Sequence, residues 1–422
     1  MHRMHKINKY RLILFVIGLT SVWSASFANA LSLKQAENLA IEHSTELQSL
    51  RAKNESLYQA AIAANQSPDP SLFGGTLNVP VDTFKFNQEP MTQIQIGLSQ
   101  YIPRGKSLKF GSQEKSCLAK AEFFKLQSMR LDILQKVRLS WLHLFYWQQA
   151  RTIVVKEKAI FKELLEVAKS MLANNKAQQK DVIRAQLELS ELDNRLIQID
   201  EQIQTARFQL ARWISESNAH KAQASNLPLW PSLPAKQKLL NAVQQHPELK
   251  TDSATISAFQ AKVHLALEQY KPGFNVNVGY GFRQGRGIDG RKWPDFLTAT
   301  VNMDLPVFTQ NRQDKSLKSS QDNLLASEKD RMSHYRNLRE YLNIQYNIWQ
   351  QQQKSTQLFI GSLIPQANQY AKATMTAYQN FQTDFPTLAR AYVRQLNTEL
   401  EALKVKVDRD AARINLLYLQ GK

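Results

Sequence analysis

Two hydrophobic periods alternate along this chain. Residues 31–65 carry Leu39, Ile41, Leu47, Leu50 and Leu57 among many alanines, an apolar stripe that predicts a helix ended by Ser67-Pro68-Asp69-Pro70. The period then shortens to two. Phe73, Gly75, Leu77 and Val79 share one parity, and Ile94, Ile96, Leu98 and Ile102 alternate with Gln93, Gln95, Gly97, Ser99 and Tyr101. Such alternation predicts strands, at about 71–79 and 91–102, with one apolar and one wet face. Residues 80–90 form a loop too long for a tight hairpin. Pro103-Arg104-Gly105 stops the second strand. Residues 112–227 then contain neither glycine nor proline, the two residues most costly inside a helix. That run is too long for one ordinary helix. It predicts two long antiparallel helices turning near Asn174 and Asn175, the outgoing arm on the order of 100 Å.

The plan is then repeated. Pro228, Pro231 and Pro234 mark a linker at 228–235. A helix follows containing His246-Pro247-Glu248-Leu249, echoing His43-Ser44-Thr45-Glu46-Leu47. Phe274, Val276, Val278, Tyr280 and Phe282, then Leu297, Ala299, Val301, Met303 and Leu305, alternate with small or polar residues and predict strands at about 273–283 and 296–305. Helical sequence resumes to the end, with a turn at 380–383. His43 and His246 are 203 positions apart, as are Pro103 and Pro306, and the same shift keeps the strands' apolar parity. At the helical turns the offset is 206, relating Asn174 to Asn380 and Arg184-Ala185 to Arg390-Ala391. The chain therefore divides into a first repeat, 31–227, and a second, 236–422.

The first thirty residues stand outside this plan. Arg3, Lys6, Lys9 and Arg11 precede an apolar run of about twelve residues and a small-x-small site, Ala28-Asn29-Ala30. This order predicts a signal peptide cleaved after Ala30, and the apolar run is short for an anchor. The formal charge is +18, or +14 without those four cations. Lys and Arg are scattered among acids along the helices, as on solvated faces, and no nucleic-acid partner is expected. The lone Cys117 cannot form an internal disulfide and reads as a small buried helix residue.

Four alternating strands cannot close a sheet, and open edges invite pairing with other chains. Closure between copies is the economical solution. Strands of about ten residues suit a tilted transmembrane strand. Phe84, Phe86, Tyr101, Phe274, Phe282, Trp293, Phe296 and Phe308 gather near the strand ends, where barrel girdles lie. Ile94, Ile96, Leu98, Val276, Val278, Tyr280, Ala299 and Val301 are the expected lipid-facing set. The competing reading is a soluble β-sandwich inserted between helices.

The whole mature chain, a helix, strand pair and helical hairpin twice over, resembles the TolC-type outer-membrane efflux factors. The resemblance implies a mainly α fold with a small β part. It implies a homotrimer whose twelve-stranded outer-membrane barrel continues as a twelve-helix periplasmic barrel. It also implies an exit duct partnered by a periplasmic adaptor and an inner-membrane pump of the resistance–nodulation–division type. The tip sequence Asn175…Asp181-Val182-Ile183-Arg184-Ala185-Gln186 resembles the family's periplasmic turns. By that likeness Asp181, Arg184, Asp384, Thr387 and Arg390 are candidate aperture residues. Thr387 and Arg390 stand where some members carry acids, and an aspartate there also suits plain helix capping.

Pro68-Asp69-Pro70, Leu77-Asn78-Val79-Pro80-Val81-Asp82-Thr83-Phe84 and Gln88-Glu89-Pro90-Met91-Thr92 resemble the heavy-metal branch, the CzcC and CusC type. Passive efflux of heavy-metal cations is the expectation, with drugs or other small molecules as the alternative cargo. The eight histidines form no ligand-spaced cluster. No catalytic, cofactor or metal residue is assigned, and the chain is not expected to be an enzyme. A periplasmic adaptor is the other reading, although adaptors usually carry one hairpin; an envelope hydrolase is a third.

Overall fold

A computed structural model describes residues 31–422. The expected signal peptide and its cleavage after Ala30 lie outside the described residues. Helices α1 (Leu33–His43) and α2 (Thr45–Ala63) lead into strands β1 (Ser71–Leu77) and β2 (Gln93–Ile102). Then come α3 (Ser107–Ala173), α4 (Gln179–Ile214) and the short α5 (Glu216–Lys221). The second half has α6 (Lys236–Gln244), α7 (Pro247–Glu268), β3 (Phe274–Phe282), β4 (Phe296–Met303), α8 (Gln313–Leu358), α9 (Ile364–Gln379) and α10 (Phe385–Leu419). A π turn, Phe359–Leu363, joins α8 to α9.

Local chemistry explains the breaks. Ser32 and Gln35 form a capping box at the start of α1, and the Ser44 hydroxyl accepts from Leu47 N–H at 3.1 Å to start α2. Pro247 takes the first turn of α7, where a missing N–H costs nothing. The π turn lies just ahead of Pro365, whose ring would press on the carbonyl four residues earlier in a regular α-helix. α8, the π turn and α9 run 46, 5 and 16 residues, the same total as the 67 of α3. The 206 offset therefore holds at both ends of the long helices. The three extra residues of the second half lie between Pro306 and Gln313, in the strand-to-helix joint.

The strands form one antiparallel sheet in the order β1-β2-β3-β4. The helices continue that order. Near the sheet α2 packs on α3, α3 on α7, and α7 on α8; farther away α4 packs on α3, α3 on α10, and α10 on α9. The chain is thus a wall one helix thick, with α2 and α4 along one margin and α8 and α9 along the other. Its larger core follows α3, through Ile133, Val137, Leu144, Val154, Phe161 and Leu164, all essentially inaccessible. A smaller core joins Leu239, Val243, Leu249, Leu342 and Leu416.

Several boundaries differ from the alternation, and β2 starts at Gln93 rather than 91. The first strand ends at Leu77 rather than 79, because Asn78 turns to φ 54°. The last ends at Met303; Asp304 N–H adds one further bond in register, to Gly273, before Pro306, which has no N–H to donate. The irregular stretch before α6 begins at Ala222, well ahead of 228, because Leu31 forms a parallel bridge with Ala222 and draws the chain across.

Arg138 on α3 ties four parts of this wall. Its Nε donates to Glu37 at 2.7 Å, its Nη1 to the Lys422 carbonyl at 3.0 Å, and its guanidinium lies over Trp230. Both members of the Arg138–Glu37 pair are largely buried, so removing one partner would strand the other charge.

Glu157, buried on α3, has no partner for Oε1. Burial, helped by the nearby Glu399 carboxylate and opposed by Lys156, pushes its pKa up to about 7. The folded state thus holds this proton more tightly than the unfolded chain. Its stability falls as pH rises from the ordinary Glu range to about 7. Glu157→Gln should flatten that loss and stabilise the protein above pH 7, by on the order of 2–3 kcal/mol. Thermal midpoints of both proteins at pH 5 and pH 8 check this; parallel pH dependences would contradict it.

Candidate functional site

The sheet has two unlike faces, and its register sets them. Ile94 pairs with Phe282, Ile96 with Tyr280, and Leu98 with Val278; Val276 pairs with Val301, Val278 with Ala299, and Tyr280 with Leu297. Directly opposed residues share a face, so the eight residues singled out on these strands lie on one side of the sheet. That side is uncovered by the chain: Leu297 is 77% and Val301 65% exposed. The other side carries Gln93, Gln95, Ser99, Asn275, Asn277, Thr298 and Thr300. Ser99 Oγ donates to Asn275 Oδ1 at 3.0 Å, and Asn277 Nδ2 to Thr300 Oγ1 at 3.2 Å. Gln93, Gln95, Ser99, Asn277, Thr298 and Thr300, with Phe73 and Leu77 of β1, line a trough of about 590 Å³. Their amide and hydroxyl groups can exchange hydrogen bonds with water and small polar solutes and carry no fixed charge.

β1 reverses the expected parity. Leu72, not Phe73, pairs with Leu98 on the apolar side, while Phe73 sits opposite Gly97 on the polar side. The reason is steric. A Cβ on Gly97 would lie 2.5 Å from Phe73 Cζ, and one on Gly279 3.2 Å from it. Two adjacent glycines make the space that the Phe73 ring fills, which periodicity within β1 alone does not reveal.

The joint between sheet and helices rests on Glu268. Lys106 N–H, at the start of α3, donates to its Oε2 at 2.7 Å, and Lys271 pairs with it at 2.7 Å. Burial works against the charge, but the Lys271 ammonium and the Lys106 N–H outweigh it and hold the carboxyl below its usual range. Gly105 takes φ 48°, and a Cβ there would meet the Glu268 carboxylate. Arg104 completes the joint, donating to the Gln269 carbonyl at 2.8 Å and approaching Asp304 at 3.4 Å. Glu268 was not among the sequence candidates; Pro103-Arg104-Gly105 was the only signal near it.

At the far end the two helical turns are alike. Lys176 N–H bonds to Met171 and Asn175 N–H to Leu172; Gln382 N–H bonds to Ala377 and Phe381 N–H to Tyr378. Each is a Schellman closure with a left-handed residue, Asn175 at φ 56° and Phe381 at φ 59°. Lys176 lies 5.0 Å over the Phe381 ring, so the turns touch. Among the candidate aperture residues, Asp181 and Asp384 take different positions. Asp181 is in the first turn of α4 and accepts from Gln178 N–H at 3.1 Å, whereas Asp384 caps α10 and accepts from Thr387 N–H at 3.0 Å. Thr387 is the residue equivalent to Asp181 at the 206 offset. Arg184 pairs with Glu188 at 3.2 Å, and Arg390 donates to Thr387 Oγ1 at 2.9 Å. The Thr387 hydrogen bonds hold the Asp384 carboxyl below its usual range.

Among the described residues no helix is long and apolar enough to cross a membrane, and no group of three or more His, Cys, Asp or Glu is placed to hold a metal ion. No family profile matches the chain, and no curated protein matches its sequence. The fold itself is that of bacterial outer-membrane channels. The outer-membrane channel OprN superposes with TM-score 0.74 at 15% identity over 92% of this chain and 89% of its own. VceC, an outer-membrane protein of Vibrio cholerae, gives 0.78 at 14%, covering 92% and 96%. CusC, described for its transmembrane channel formation, gives 0.71 at 13%, covering 92% and 91%.

Asp384→Ala should loosen the α10 start by about 1 kcal/mol, the usual worth of such a cap. Faster amide exchange confined to residues 385–390 checks it; unchanged exchange there would show the cap to be idle.

Proposed function

We propose that the chain is the outer-membrane exit duct of a tripartite efflux system. It would work as a homotrimer whose sheets close into a twelve-stranded barrel and whose walls close into a helical tunnel. One observation carries the reading: a sheet with an exposed apolar face, a neutral polar face and two free edges continues as a helical wall with free margins on the same sides. The margins are sticky. Tyr58, Ile183, Ile197 and Phe208 on one side, and Leu325, Ile344, Leu358 and Tyr370 on the other, are all exposed. Unlike margins that meet head to tail close a ring. The apolar face then meets outer-membrane lipid and the polar trough becomes the conduit. The wall does no chemistry and needs no cofactor; it offers water and hydrogen bonds to whatever enters. Asp181, Arg184, Asp384, Thr387 and Arg390 would ring the periplasmic opening, where an adaptor and an inner-membrane pump deliver cargo.

Heavy-metal cations are the cargo we favour. The support is the likeness of residues 68–92 to the CzcC and CusC type and the fold shared with CusC. The neutral trough suits passage without binding, so selection falls to the pump. Drug-like small molecules are the other cargo such a duct would carry.

The test is conductance. Purified mature protein should form discrete channels in planar bilayers, and a protein that never conducts would overturn the reading. In the same experiment Val301→Arg, on the uncovered face, should fail to assemble, since an arginine at mid-bilayer on the lipid side costs about 2–4 kcal/mol. The cargo is tested by deletion of the gene: loss of tolerance to copper or zinc salts with unchanged drug tolerance supports cations, and the reverse pattern supports drugs.

A further inference from the structure

The β3–β4 connection extends the sheet beyond the end opposite the helices. Gly287 N–H donates to the Arg291 carbonyl at 2.8 Å, and Trp293 N–H to the Gly285 carbonyl at 3.2 Å. Between these bonds Arg286 and Lys292 form an antiparallel bridge. They occupy the non-hydrogen-bonded position, where side chains stand closest, on one face. Two cations directly opposed in this way repel each other. Asp295 lies near enough to Lys292 to ease part of the repulsion, but among the described residues no ion pair joins Arg286 or Lys292 to a carboxylate. Asp295 accepts from Tyr280 Oη at 2.6 Å and from Arg283 N–H at 2.8 Å. Asp289 accepts from Arg291 N–H at 3.1 Å and reaches that guanidinium only at 4.0 Å. Arg286 donates only to the Gly290 carbonyl, at 3.1 Å.

The height and side of the pair identify what would fill it. The Lys292 ammonium lies 4.6 Å over the Phe282 ring, and Phe282 is the last residue of β3 on the apolar face, opposite Ile94. Arg286, Arg291 and Lys292 are exposed. The cations therefore stand just past the end of the apolar face and on its side. The other connection, residues 78–92, has Asp82 and Glu89 against Lys85 and offers no such cluster. We propose that the Arg286–Lys292 pair binds the phosphate of a phosphorylated membrane lipid at the outer rim of the sheet. The acyl chains of that lipid would lie against the apolar face below. This rests on the membrane reading above and adds its lipid partner. Charge complementarity and continuity with the apolar face together favour an anchored phosphate over a free one.

The test uses the tagged full mature chain in detergent, with diphosphorylated lipid A as probe and retained lipid measured by mass spectrometry. Wild type should retain it saturably, and Arg286→Glu with Lys292→Glu should cut retention by at least about tenfold, as loss of two surface cations predicts. The charge-conserving pair Arg286→Lys and Lys292→Arg should keep it. Equal retention of dephosphorylated lipid A, or undiminished retention by the reversed variant, would overturn the proposal. Full displacement by inorganic phosphate would overturn the lipid as its source. Planar-bilayer conductance of the same samples separates the two readings. Both residues lie outside the conduit, so the reversed variant should still conduct. A conducting wild type with no lipid preference sinks the lipid site alone, whereas a wild type that never conducts sinks the duct.

Discussion

Every strand at the edge of a sheet leaves a row of backbone donors and acceptors without protein partners. In this chain β1 and β4 do so on opposite sides of the same four-stranded sheet. The helices cannot cover these edges, because they run on from the strands rather than across them. The helical wall inherits the same incompleteness, with apolar side chains exposed along both margins. Sheet and wall are deficient on matching sides, so one type of contact between copies would satisfy both. The rest of the architecture follows from that constraint, including a core confined to a layer one helix deep.

Continuity between sheet and wall needs a stiff joint. Glu268 ends α7, and its carboxylate holds the first free N–H of α3, the column beside it. An anion at a helix N-terminus is favourable in itself. Here it also crosses between the repeats, since Glu268 belongs to the second and Lys106 to the first. Arg104 does the same through Gln269 and Asp304. The two repeats are thus bonded to each other at the level where strand geometry becomes helix geometry. Arg138 provides a second crossing lower down, where α1, α3, the connection around Trp230 and the C-terminal carbonyl converge.

The helices and three of the four strands were legible in the sequence because their signals are strong. Residues 112–227 lack any breaker, and the alternation of β2 sets Ile94, Ile96 and Leu98 against glutamines and serine. β1 misled, because the space for Phe73 is made by Gly97 and Gly279 on other strands, which one strand's parity does not contain. The π turn was hidden for a similar reason. Pro365 announces a disturbance, but only the structure shows that it takes the form of a π turn and leaves the residue count of the two long helices equal. At the tips the 206 offset already aligns Asp181 with Thr387, and the geometry adds that each aspartate has its own backbone partner. Glu268 was invisible because its partner lies 162 residues away.

The three extra residues between Pro306 and Gln313 say something about the history of the molecule. Inserted into a strand, an odd number of residues would exchange its wet and greasy sides; inserted into a long helix, three would swing everything beyond by about a sixth of a turn. Only the elbow where one geometry gives way to the other absorbs a change of length without either error. If the two halves descend from one ancestral unit, their elbows are where copies were free to drift in size, and splicing related proteins at that point is the recombination this architecture tolerates best.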